Sequence, residues 1–169
     1  MVHCKTTAIS KLFLRLCKTH LLWVRDPHFH GPPQNAFLMS AIRSKTAENV
    51  RLILYFPFPD GTVPYVGMEA LCDACTYGSL EVVTELLKHM PTNEVIYEIA
   101  PYRYGETALT IAIRYGDLAM VKAVLEAGAD IHGSWESRHF RRVTIRTLHL
   151  AMFLGKKDIV RILIERGRL

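Results

Sequence analysis

The sequence predicts an all-α solenoid of about four helical repeats with long connecting fingers, and three observations point to it. Four segments superimpose without a gap: LMSAIRSKTAENVRLIL from Leu38, LCDACTYGSLEVVTELL from Leu71, LTIAIRYGDLAMVKAVL from Leu109 and LHLAMFLGKKDIVRILI from Leu148. Each places a small residue three positions after its leucine (Ala41, Ala74, Ala112, Ala151) and a valine twelve positions after it (Val50, Val83, Val121, Val160). Seven positions after the leucine stand Gly78, Gly116 and Gly155, with Lys45 in the first segment.

Residues 1–34 lie outside this pattern. Thr6 or Thr7 is placed to cap a helix running to about Val24, with Ile9, Leu12, Phe13, Leu16 and Leu21 near one face. Lys5, Lys11, Arg15, Lys18 and Arg25 all precede the first acid, Asp26, and Pro32-Pro33 closes the segment. It reads as an irregular basic N-terminal helix or cap over the first repeat. A mitochondrial-type targeting helix over residues 1–25 is the alternative.

The repeat domain then covers residues 35–169, in units near 35–66, 67–104, 105–144 and 145–169. Leading helices are expected near 36–45, 69–77, 107–115 and 147–154. The small residue lets two helices approach closely. The glycine is expected to reverse the chain at positive φ; Lys45 in that conformation would cost on the order of 1 kcal/mol. The second helix of each unit buries its valine and the apolar residue four positions on (Leu54, Leu87, Leu125 or Ile164) as one stripe. One such pair cannot bury both faces alone, so neighbours stack. Between units, Tyr55 to Val66 carries Pro57, Pro59, Pro64 and the turn dipeptide Asp60-Gly61. Met90 to Tyr104 and His132 to Ile145 make longer fingers, and Asn93 to Ile99 fits a short helix or a strand. In the last helix Lys156, Lys157, Asp158, Arg161 and Glu165 form part of a polar outer face. End-to-end contact through this C-terminal repeat, or continuation into further repeats, is the alternative use of that end.

Composition narrows the function classes. Half of the 169 residues are hydrophobic and 22% are charged, which excludes a disordered tail. No apolar run reaches the roughly 18 residues of a membrane span; Leu12 to Val24 is broken by Arg15, Lys18 and His20. Four cysteines do not make a disulfide scaffold in a chain of this length, so a reducing compartment, cytoplasm or nucleus, is expected. The net charge of +5 is concentrated in the N-terminal segment and in Arg138, Arg141, Arg142 and Arg146. Those two regions support an alternative class, a basic module contacting nucleic acid or an anionic membrane surface. Phe140 is the sole aromatic inside the second cluster, which disfavours a nucleic-acid face. Cys72 and Cys75 form a C-x-x-C without a second pair to complete a zinc site, and Cys75 falls at the second small core position of the repeat. His28 and His30 make only a weak pair. Phosphate loops, nucleophile elbows and H-E-x-x-H are absent from the sequence. The expectation is therefore no catalysis, no cofactor and no metal.

The third unit has Gly105-Glu106-Thr107-Ala108-Leu109, then Ala112, Gly116-Asp117, Val121, Leu125 and Gly128-Ala129-Asp130. The fourth has Leu148-His149-Leu150-Ala151 and Gly155, and the second has Leu71, Ala74, Gly78 and Leu80-Glu81-Val82-Val83. Over residues 35 to 169 this resembles the ankyrin repeat family. The departures are that Thr107 has no matching His and His149 no matching Thr. The resemblance implies a non-enzymatic scaffold or adaptor that binds a protein on its concave and finger face. It implies contacts from the two residues before the helix-ending glycine: Arg43-Ser44, Thr76-Tyr77, Arg114-Tyr115 and Phe153-Leu154. The expected partner-binding set is Arg43, Tyr77, Arg114, Tyr115 and Phe153, with Arg103 and Tyr104 at a finger-tip edge. Packing of Phe153 and Leu154 under a neighbouring finger is the alternative.

Overall fold

The computed structural model describes residues 33–56, 61, 64–90, 106–137 and 143–167. Four helix pairs follow one another: α1 (Pro33–Arg43) with α2 (Ala47–Leu54), α3 (Met68–Tyr77) with α4 (Leu80–Leu87), α5 (Ala108–Tyr115) with α6 (Leu118–Glu126), and α7 (Thr147–Phe153) with α8 (Lys157–Arg166). Each leading helix packs on the next leading helix, and each second helix on the next second helix. Two layers result, as expected for stacked hairpins. Among the described residues the fold is helical apart from one finger between the third and fourth pairs. There β1 (Ser134–Ser137) and β2 (Val143–Arg146) form an antiparallel hairpin. The segment Asn93 to Ile99 and the N-terminal segment before Pro33 lie outside the described residues. Among the described residues no helix is long and apolar enough to cross a membrane.

The repeat register is the core. Ala41, Ala74, Ala112 and Ala151 are fully buried, as are Val50, Val83 and Val121. Val160 of the fourth unit is only partly buried against the same core. Helix α1 starts at Pro33, inside the segment assigned to the terminal cap. The first helical position suits proline, whose missing N–H would have no intrahelical partner there.

The reason for the glycines differs from the expectation at two of three sites. Gly155 does take positive φ (+68), and so does Lys45 (φ 60) in the first unit. Gly78 and Gly116 keep φ of −78 and −84. They are glycines because the chain turns tightly against its own helix. A Cβ on Gly78 would sit 2.6 Å from the Ala74 carbonyl oxygen; on Gly116 it would meet Ala112 O and Met120 Sδ, each at 2.7 Å.

Short polar side chains cap three of the helices. Ser79, Thr107 and Asp117 each accept a hydrogen bond from a backbone N–H three residues on. Thr110, fully buried at the position where the family pattern has its histidine, donates to the Thr107 carbonyl and accepts from the Thr107 N–H. Thr107 therefore has a partner after all, inside its own unit. One tie between units three and four comes from Thr147, whose hydroxyl donates to the Ile131 carbonyl.

Candidate functional site

The turns between paired helices lie side by side because the helices stack, and polar contacts add to this at two of the three junctions. The Ser79 hydroxyl donates to the Lys45 carbonyl at 3.2 Å, linking the first two turns. Lys156 Nζ donates to the carbonyls of Arg114 and Gly116 at 3.1 and 3.0 Å, linking the last two. Helix α3 packs on α5 between them. The residues ending the leading helices thus fall in register. One row runs Arg43, Thr76, Arg114, Phe153; the next runs Ser44, Tyr77, Tyr115, Leu154.

Five of the seven expected contact residues lie on this face. Tyr77 is 46% exposed, Tyr115 57% and Phe153 81%. Leu154, beside Phe153, is 37% exposed. Arg43 is exposed and Arg114 half-buried. Arg103 and Tyr104 lie outside the described residues.

Both arginines are anchored from below. Arg43 Nη2 is 3.1 Å from Asp73 Oδ2, and its guanidinium carbon sits 4.9 Å from the centre of the Tyr77 ring. Arg114 Nη2 is 2.6 Å from Glu106 Oε1, with its guanidinium carbon 5.9 Å from the Tyr115 ring centre. Asp73 and Glu106 are both buried. Such guanidinium–ring contacts are worth about 0.5–1 kcal/mol each at exposed sites. They also bias flexible side chains toward one pose.

Three members of the face escaped the sequence reading. Met152 is 59% exposed beside Phe153. Asp73 and Glu106 were not singled out either. Their signal was present: Asp73 stands where the other units have Ser40, Ile111 and Leu150, and Glu106 where they have Asn35, Met68 and Ile145. A carboxylate at an otherwise uncharged repeat position needs a partner, but the sequence does not say which. Cys72 and Cys75 are both buried in α3, among the core side chains. His28 and His30, and Arg138, Arg141 and Arg142, lie outside the described residues; Arg146 is exposed at the start of α7.

Stacked helix pairs with an ordered row of side chains at their turns define a helical-repeat binding module. The family model described as ankyrin repeats (three copies) matches residues 38–134. That is more than half of the chain, which belongs to the ankyrin repeat family. The match spans the first three units, and the α7–α8 pair stacks on them as a fourth. No curated protein matches the chain. Ankyrin repeats are generally protein–protein interaction modules, and proteins built from them are typically non-enzymatic scaffolds.

Proposed function

We propose that this chain is a non-enzymatic scaffold or adaptor, and that it holds a partner protein on the face carrying Arg43, Tyr77, Arg114, Tyr115 and Phe153. The supporting observation is the row of exposed aromatic side chains at the helix turns, with Phe153 the most exposed of all. Folding gives no reason to place large rings there, because small polar residues would end these helices equally well. Tyrosine and arginine are enriched at the energetic centres of protein interfaces. Arg103 and Tyr104 extend the proposed contact set at its finger-tip edge. The reading puts the protein in the cytoplasm or nucleus, since four cysteines in a chain of this length make no disulfide scaffold.

The test is affinity capture from native cells with the parent chain and with a Tyr77→Ala, Tyr115→Ala, Phe153→Ala variant, followed by mass spectrometry. All three side chains are exposed, so the variant should fold, as circular dichroism will verify. Partners captured by the parent should be lost, or weakened at least about tenfold, in the variant. Equal capture by both would remove this face from consideration.

A further inference from the structure

Starting from the reading that this face binds protein, we propose that it is built for an uncharged polypeptide segment bearing one large apolar side chain. Asp73 and Glu106 set that preference by neutralising the arginines from inside.

The two carboxylates are placed by different means. Asp73 belongs to α3 and reaches Arg43 of the preceding unit, 30 residues away. Glu106 precedes α5 and reaches Arg114 of its own unit. A requirement of the repeat itself would recur at one register position, and neither does. What recurs is the pairing. Where the row has Thr76 instead of arginine, the corresponding positions are Met68 and Ile111; where it has Phe153, the corresponding position in its own unit is Ile145. A buried acid therefore accompanies each arginine of the row and is missing where the arginine is missing. The carboxylates follow the guanidinium groups, not the helix pattern.

The electrostatic consequence is direct. Each arginine–carboxylate pair sums to zero charge, and both acids are buried beneath the face. A polyanion would gain little from arginines already compensated at 3.1 and 2.6 Å, and would be repelled by Asp73 and Glu106. An uncharged segment leaves both pairs intact and can still stack on the tyrosine rings and guanidinium planes. Beyond Tyr115 the face turns apolar through Met152, Phe153 and Leu154, all exposed. That end accepts one large apolar side chain, the usual anchor of a protein contact.

The test uses the full chain and a randomised twelve-residue peptide display library. Enriched peptides should carry no net charge and share a large apolar residue. Their binding should fall at least about tenfold with Phe153→Ser. It should change by no more than about twofold over a tenfold rise in salt, whereas a polyanion contact would fall steeply. The Asp73→Asn, Glu106→Gln double variant should weaken these peptides and gain salt-sensitive binding to poly-glutamate that the parent lacks. If that variant does not fold, the salt response of the parent and the Phe153→Ser effect decide the matter. Enrichment of acidic peptides that still need Tyr115 and Phe153 would overturn the charge preference while leaving the face as the binding site. Peptides indifferent to Tyr77→Ala, Tyr115→Ala and Phe153→Ser would overturn the face itself. No enrichment above a blank matrix would overturn the claim that a short uncharged segment suffices.

Discussion

At the scale of single residues, one repeat position serves two different backbone solutions. Lys45 and Gly155 turn through positive φ, whereas Gly78 and Gly116 stay in the ordinary half of φ and press against a carbonyl. The substitutions should therefore separate. Lys45→Gly removes a side chain from a strained conformation, and stability should hold or rise by up to about 1 kcal/mol. Gly155→Ala meets no neighbouring atom and should lose about 1 kcal/mol from backbone strain alone. Gly78→Ala brings a methyl within 2.6 Å of backbone that cannot swing aside. It should cost more, about 2 kcal/mol or above. Urea unfolding monitored by circular dichroism ranks the three. A Gly78→Ala variant no worse than Gly155→Ala would show that the close approach is not the reason for that glycine.

At the scale of elements, the second helices are joined by a polar hub as well as by their valines. Glu85 of α4 is buried and lies within 3.0 Å of both Arg51 Nη2 from α2 and Lys88 Nζ, with His89 Nε2 at 3.5 Å. The hydrogen bond from Arg51 is the main cause that holds the Glu85 carboxyl down at about 2, well below the usual 4.5, with Lys88 adding to it against the opposing effect of burial. A carboxylate held lower in the fold than in the unfolded chain stabilises above its ordinary value. That contribution is lost as pH falls through the depressed one. Glu85→Gln should cost about 1–2 kcal/mol at neutral pH, by weakening a charge-assisted contact. The gap between parent and variant should close between pH 4.5 and about 2. Thermal melts of both proteins across that range measure it. A gap that is constant down to the lowest pH would mean the carboxylate charge contributes nothing to the junction of α2 with α4.

At the scale of the whole molecule, the fold was legible because its signals are local and repeat. The four alanines and the first three valines that define the register have no exposed surface, so one pattern stated four times located each described helix pair. The binding face was legible only as positions. Its exposed rings follow from the register, but the pairing of Arg43 with Asp73 depends on how one unit stacks on the next, and no local pattern encodes that. Stacking also predicts how the array comes apart. A unit's stability is its own plus that of its shared interfaces. Within the described chain α7–α8 shares an interface on one side, and its residues show it: Val160 is only partly buried where its three counterparts are fully buried, and Ile164 is 40% exposed. Only Ile159 and Leu163 of α8 are fully committed to the core. We expect native-state hydrogen exchange to show α7 and α8 opening together at a lower free energy than α3 to α6, as a separate cooperative step. Thr147 and Lys156 hold that unit to the third, through the Ile131 carbonyl and the Arg114 and Gly116 carbonyls. Lys156→Met should therefore lower the opening free energy of α7–α8 by about 1 kcal/mol while leaving exchange in α3 and α4 unchanged. Uniform exchange across all four units, with Lys156→Met shifting every helix equally, would mean that the array unfolds as one body and that its turns are not separable joints.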